Sequence, residues 1–116
     1  MYKYLKYQEE QINDFFNSSL AKELFDLVKT NTSFKIQIDS GPIFEKKYKY
    51  YCLSISLTDL DDNIIDVFDD GYLSAYVELV SIRKDKVKFS KWDDIDFIDD
   101  IKRIIQYLKS QNKNSI

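Results

Sequence analysis

Short runs of alternating apolar and polar residues recur between residues 34 and 89, each separated from the next by a turn or loop of a few residues. Such alternation is typical of half-buried β-strands. Consecutive parallel strands need a crossover of a dozen or more residues, and no connection in this region is that long. The sequence therefore restricts these strands to antiparallel pairing.

Four or five strands are expected in this region. The two clearest, Tyr48–Thr58 and Tyr72–Ile82, each place aliphatic side chains on one face and tyrosines and serines on the other. Shorter strands are predicted at 34–38, 64–68 and 87–89. Asp69-Asp70-Gly71 predicts a tight hairpin, because an Asp-Gly pair adopts positive φ angles at low cost.

Helical patterns lie on both sides of the strands. Residues 8–29 carry apolar side chains at spacings of three and four, and Asn17-Ser18-Ser19 is expected to divide them into two helices. A second apolar stripe runs from Ile95 to Leu108, and Ser90 is predicted to cap this helix.

The order of these patterns predicts an α+β fold. We expect an antiparallel sheet of four or five strands, with one or two N-terminal helices and a C-terminal helix packed on one face. A chain of 116 residues is long enough to bury a core without disulfides or metals. We expect one domain over residues 1–110, followed by a polar tail at 111–116.

The composition excludes several kinds of catalytic site. The chain has no histidine, so it cannot contain a Ser-His or Cys-His nucleophile pair, or a zinc site of cysteines and histidines. Its two isolated glycines cannot form the glycine-rich loop that cradles phosphates. We therefore expect neither enzyme activity nor a cofactor.

Cysteine use and hydropathy bear on location. The single cysteine, Cys52, cannot form an internal disulfide, which favours a reducing compartment. The chain has no run of about 18 apolar residues and no signal-peptide core at its start. We expect a cytoplasmic protein without membrane contact, in the host-cell cytoplasm if a phage encodes it.

Two acidic patterns match metal sites only in part. Four side chains occupy the first, third, fifth and twelfth positions of a calcium loop: Asp59, Asp61, Asn63 and Asp70. Ile64 stands where that loop needs glycine, and strand patterns flank it in place of helices. Asp39, Glu45 and Lys47 resemble the acid-acid-x-lysine set of magnesium-dependent nucleases, but their spacing is short. We expect no metal; a metal-dependent enzyme is one alternative.

Charge is sorted along the chain, although the net charge is only −3. Tyr50–Ile82 contains no lysine or arginine. Its acids are Asp59, Asp61, Asp62, Asp66, Asp69, Asp70 and Glu78. A segment of this kind produces a local negative field, which attracts basic surfaces and repels phosphates.

Tyrosines accompany these acids on the non-aliphatic face of the predicted strands. Tyr50, Tyr72 and Tyr76 are expected to face solvent among serines, which suits them to recognition of a partner. Tyrosine is also an ordinary strand former, and acidic loops also keep proteins in solution.

The strands that carry the tyrosines have no cations of their own between residues 50 and 82, and phosphate binding depends on cations. We therefore expect no direct contact with nucleic acid. The remaining cations are expected to form a separate basic edge: Lys46, Lys47, Lys49, Arg83, Lys84, Lys86, Lys88 and Lys91.

Together these features favour a small, acidic, non-catalytic binding protein. Toxin-immunity proteins and phage-encoded inhibitors of host defence nucleases, anti-CRISPR proteins among them, are similar in type, although no motif links this chain to either. The expected partner is a nuclease or toxin with a basic surface, which the chain would occlude sterically and electrostatically. Self-association as a homodimer or larger assembly is the other alternative.

The residues expected to contact the partner are Asp59, Asp61, Asp62, Asp66, Asp69, Asp70, Glu78, Tyr50, Tyr72 and Tyr76.

Overall fold

The structure is a computed structural model that describes residues 2–114, and it confirms the expected α+β fold. The helices are α1 (Tyr2–Phe16), α2 (Ser19–Thr30) and α3 (Ile95–Asn114). The strands are β1 (Phe34–Ser40), β2 (Ile43–Phe44), β3 (Tyr48–Asp59), β4 (Asp66–Val67), β5 (Gly71–Tyr72), β6 (Ser74–Arg83) and β7 (Lys86–Phe89).

The main sheet is antiparallel, with strands in the order β1-β3-β6-β7. The short strand β2 also pairs with β3, next to β1 along the same edge, so that Ile43 lies opposite Tyr50. The strands β4 and β5 form a separate hairpin, joined by one turn of 3₁₀ helix at Phe68–Asp70. The central strand is therefore β3, which is paired along both of its edges.

The helices cover the aliphatic face of the sheet, as the sequence predicts. Leu53, Ile55 and Leu57 of β3 are fully buried in one core together with apolar side chains of all three helices. Phe15 of α1 packs edge-on against Phe97 of α3, with ring centroids 5.4 Å apart. Burial of these side chains is the main stabilising contribution to the fold.

The predicted break between the first two helices is confirmed. Ser18 adopts an extended backbone conformation, and its hydroxyl accepts a hydrogen bond from the Ala21 amide at 3.2 Å. Serine is a favoured cap because it supplies an acceptor for an amide that has no partner within the helix. The first helix begins at residue 2, earlier than the predicted residue 8.

The predicted cap of the last helix is wrong. The Ser90 amide donates to the Leu79 carbonyl at 2.9 Å, and the Ser90 carbonyl accepts from the Tyr7 hydroxyl at 2.9 Å, so Ser90 belongs to the sheet edge. The helix begins at Ile95, where the Asp94 carboxylate accepts from the Asp96 amide at 3.0 Å.

The last helix also extends further than expected. It continues to Asn114, into the segment 111–116 that was predicted to be a polar tail, while residues 115 and 116 of that segment lie outside the described residues.

A β-bulge in β6 interrupts the predicted alternation. Val80 lies opposite Tyr51, but the next pair joins Cys52 to Glu78. Leu79 therefore has no residue opposite it on β3. Leu79 and Val80 are both fully buried. A bulge reverses the faces of the residues that follow it, because the side-chain period of a strand is two.

A buried glutamine ties the first helix to the sheet. The Gln8 amide nitrogen donates to the carbonyls of Gly41 and Cys52, both at 2.8 Å, where the chain passes from β1 to β2. The fit around Gly41 is close, because a Cβ atom there would lie 3.1 Å from the Cys52 sulfur and the Tyr50 carbonyl oxygen and would require these neighbours to shift slightly.

We predict that Gln8→Met lowers the free energy of unfolding by about 1–3 kcal/mol, because it removes the side-chain donor from two carbonyls at a largely buried site. Chemical denaturation measures this change. The matched control is Glu9→Met on the same helix, where the side chain is exposed and the change should stay within about 0.5 kcal/mol. Equal decreases in the free energy of unfolding for the two variants would contradict the role assigned to Gln8.

Candidate functional site

The central strand separates two ends of opposite charge. With 12 residues, β3 places its first and last residues about 36 Å apart. We call residues 59–70, which follow β3, the acidic end. The basic end comprises residues 45–49, which lead into β3, and residues 83–88, which its neighbour β6 brings alongside. The molecule measures 55 × 28 × 24 Å.

Backbone hydrogen bonds hold the acidic end against β3. The Ile65 amide donates to the Leu57 carbonyl at 2.9 Å, the Leu57 amide to the Leu73 carbonyl at 3.0 Å, and the Leu73 amide to the Ile65 carbonyl at 2.9 Å. The loop 59–64 and the hairpin 66–72 therefore project from the same end of the sheet. They carry seven of the predicted contact residues: Asp59, Asp61, Asp62, Asp66, Asp69, Asp70 and Tyr72.

Asp59 shapes the loop that follows it. One of its carboxylate oxygens accepts from the amides of Asp61 and Asn63, each at 2.9 Å. The Asn63 amide is the main cause of the lowered pKa of Asp59, because hydrogen bonds to a carboxylate stabilise its charged form. The oxygens of Asp59 are therefore engaged within the protein and less able to contact a partner.

A second carboxylate at this end is paired. Asp62 forms an ion pair with Lys35 of β1, and its backbone lies in the left-handed region at a φ of 68°. The other four acids of the two segments are exposed, and none of them belongs to an ion pair among the described residues: Asp61, Asp66, Asp69 and Asp70.

An exposed aromatic ring lies on the same hairpin as three of these acids, Asp66, Asp69 and Asp70. Phe68 is 93% exposed at the tip of the hairpin, and its φ of 34° is unusual for a residue other than glycine. Tyr72 and Leu60 are 63% and 59% exposed at the same end. Unfavourable backbone conformations cluster at functional sites, which makes Phe68 a candidate contact residue.

Sequence reasoning missed Phe68 as a contact residue because the alternation of residues 64–68 assigned it to a short strand. Only Asp66 and Val67 of that segment form a strand. An aromatic residue directly before Asp69-Asp70-Gly71 was the available signal, because aromatic side chains are uncommon in tight turns.

The structure divides the predicted contact residues. Tyr72 lies at the acidic end, opposite Asp66. Tyr76 is 46% exposed near the middle of the outer sheet face, which the helices do not cover, and Glu78 lies near it on the same strand. Tyr50 lies towards the basic end. The acids and the tyrosines therefore do not form one surface.

The expectation that Tyr50 faces open solvent is corrected. Its side chain is only 9% exposed, since the ring stacks on Tyr48 and the Arg83 guanidinium lies 5.8 Å from its centre. The hydroxyl accepts a hydrogen bond from Arg83 at 3.2 Å. Tyr50 thus positions Arg83, which the bulge turns to the outer face.

Burial raises the pKa of Tyr76, and the neighbouring Cys52 thiol raises it further. The phenol of Tyr76 is therefore neutral at physiological pH and able to donate a hydrogen bond from the outer face. This face also carries Ser56 and Ser74, whose hydroxyls lie 2.9 Å apart.

Within residues 2–114, no group of three or more cysteine, aspartate or glutamate side chains is arranged to hold a metal ion. None of the helices in this range contains an apolar stretch long enough to cross a bilayer. Comparison with family models, with curated proteins and with solved structures finds no significant match to the chain. A proposal about function must therefore come from the site itself.

We predict that Asp59→Asn lowers the melting temperature at pH 7. The folded-state pKa of Asp59 is depressed, so its carboxylate stabilises the fold above the unfolded value of about 4. This stabilisation is lost as the pH falls through the folded-state pKa, and the two melting temperatures should converge there.

Thermal unfolding between pH 7 and the acid range measures the difference. Asp61→Asn is the matched control, because it removes one charge from the same loop and leaves the acceptor oxygens of Asp59 in place. If the difference in melting temperature between wild type and Asp59→Asn does not change with pH, the role assigned to this carboxylate is contradicted.

Proposed function

We propose that the chain is a non-catalytic binding protein whose acidic end docks on a basic protein surface. The observation that carries the proposal is Phe68, an almost fully exposed ring at the end of the sheet that also carries four exposed carboxylates, none of which pairs with a cation among the described residues. The contact residues in this proposal are Phe68, Asp61, Asp66, Asp69, Asp70 and Tyr72.

Phe68 and the acids have different roles in such an interface. A few large side chains near the centre of an interface supply most of the binding energy, and aromatic rings are common among them. Charged groups around such a ring accelerate association and select partners of opposite charge. The ring would therefore anchor the complex, and the carboxylates would steer its formation.

The proposed partner is a nuclease, or a toxin that acts on nucleic acid. Such proteins hold phosphates with lysine and arginine side chains, and a group of carboxylates presents charge of the same sign as phosphates. A chain docked there would block the substrate by occupying its site, which needs no chemistry from the inhibitor. Phage inhibitors of defence nucleases and toxin-immunity proteins act in this general way.

Self-association is the second candidate. The basic end of one copy carries charge complementary to the acidic end of another, which would give a head-to-tail contact and open chains of molecules. Light scattering over a range of concentrations distinguishes this candidate, because such chains grow with concentration and a monomer does not.

We predict that Phe68→Ala weakens binding to the partner at least about tenfold, whereas the free energy of unfolding stays within about 0.5 kcal/mol of wild type. Ile95→Ala is the matched control, because Ile95 is 72% exposed at the start of α3, away from the acidic end. Affinity capture from host cells with wild type and both variants identifies candidate partners, and titration of the purified partner gives the affinities.

A partner that fits the proposal is captured by wild type and the control, is lost with Phe68→Ala, and is inhibited by the purified chain when assayed on nucleic acid. Changing Asp61, Asp66, Asp69 and Asp70 to asparagine should slow association about tenfold and reduce its dependence on salt. Identical capture by all variants would rule out the acidic end as the binding surface.

A further inference from the structure

The basic end carries a second surface that the proposed function does not use. It contains seven cations and two acids: Lys46, Lys47, Lys49, Arg83, Lys84, Lys86 and Lys88, with Glu45 and Asp85. Six of these cations form no ion pair among residues 2–114: Lys46, Lys47, Arg83, Lys84, Lys86 and Lys88. The sequence separates them into two groups, which strand pairing brings together.

The register of the sheet aligns cations with a tyrosine. Tyr48 of β3 lies opposite Arg83 of β6, which in turn lies opposite Lys86 of β7. Residues that face each other across neighbouring strands share one side of the sheet, with Cβ atoms about 5 Å apart. Lys88 lies two residues beyond Lys86 and therefore on the same side.

Two adjoining clefts at this end combine cations with aromatic rings. One cleft, of about 540 Å³, is lined by Phe44, Tyr48 and lysines of both turns. The other, of about 370 Å³, shares Lys47, Tyr48 and Lys84 with the first and adds Arg83 and Lys86. Tyr48 thus lies where the two clefts meet.

The two aromatic side chains remain accessible. Phe44 is 66% exposed and Tyr48 is 38% exposed. Cations already lie over part of each ring, with the Lys49 nitrogen 4.5 Å from the centre of Phe44 and the Arg83 guanidinium 4.7 Å from the centre of Tyr48. These contacts place positive charge directly beside flat apolar surface.

The overall negative charge does not prevent an anion from binding here. The acidic end lies about 36 Å away along β3, whereas the screening length at physiological ionic strength is about 8 Å. Nearer acids limit the surface on one side, because Glu78, Asp94 and Asp96 line the groove of about 610 Å³ that extends beyond Lys88.

From this geometry we infer that the basic end binds single-stranded nucleic acid. Lysines of the two turns contact phosphates, and the rings of Phe44 and Tyr48 stack on bases. Proteins that bind single strands without sequence preference combine a cationic path with aromatic platforms in this way. An acidic protein segment would use the same cations, and competition with polyglutamate separates the two kinds of partner.

The inference does not depend on what the acidic end binds. Residues 50–82 lack cations, but Arg83 of β6 and Lys86 and Lys88 of β7 supply them on the outer face beside those strands. The sequence predicts a separate basic edge, and the register places Arg83 and Lys86 of that edge beside Tyr48.

The test is fluorescence anisotropy with a labelled oligothymidylate of about 15 nucleotides, titrated in about 50 mM and about 200 mM salt. Wild type should bind at the lower salt concentration and bind more weakly at the higher. Lys47→Gln combined with Lys86→Gln should weaken binding about tenfold and reduce the salt slope by about 1.4, since two phosphate contacts are lost.

The matched control is Lys22→Gln combined with Lys102→Gln, which removes the same charge from exposed positions on α2 and α3. Phe44→Leu should weaken binding at least about fivefold, because it removes a stacking ring, whereas Tyr2→Leu, at an 80% exposed ring on α1, should not. Melting temperatures confirm that each variant is folded.

Three outcomes would overturn the inference. The first is no binding at the lower salt concentration. The second is an equal loss of affinity in the two double-lysine variants. The third is that polyglutamate displaces the labelled oligonucleotide as effectively as unlabelled oligonucleotide does. The last outcome would instead assign the basic end to acidic protein partners.

Discussion

Pairing of β3 along both of its edges is the constraint on which the rest of the structure depends. Its inward side chains Leu53, Ile55 and Leu57 are fully buried, so the strand cannot shift its register by one residue without exposing the core. This fixed strand keeps the acidic loops at one end and the lysine-rich turns at the other. The sorted charge of the sequence thus becomes a separation of charge in space.

The bulge in β6 decides what the outer face presents. Without the bulge, strict alternation would point Ser81 and Arg83 to the core face, the face of Val77. Val80 and Ile82 would then point to solvent. The extra residue Leu79 reverses this order. Val80 then enters the core, and Arg83 turns outward to contact Tyr48 and Tyr50.

Sequence periodicity predicts the helices, the antiparallel sheet and its aliphatic face, because each depends on local patterns that burial reinforces. It fails where tertiary contacts override those patterns. Ser90 has the composition of a helix cap, yet its amide completes the edge of the sheet with Leu79. The bulge, the burial of Tyr50 and the exposure of Phe68 all depend on which segment lies alongside which. Six of the seven acids lie close together in the sequence and therefore share one end of the sheet. The position of Glu78 in mid-sheet and the meeting of the two basic turns depend on the register.

A separation of about 36 Å between the two charged ends exceeds the screening length at physiological salt more than fourfold. Each end therefore presents its own field to an approaching molecule, and the net charge of −3 describes neither of them. A partner that binds at one end leaves the other end free, since rigid strands connect the two and no lid or hinge lies between them in residues 48–59. The geometry of β3 therefore sets the distance between the two proposed binding surfaces.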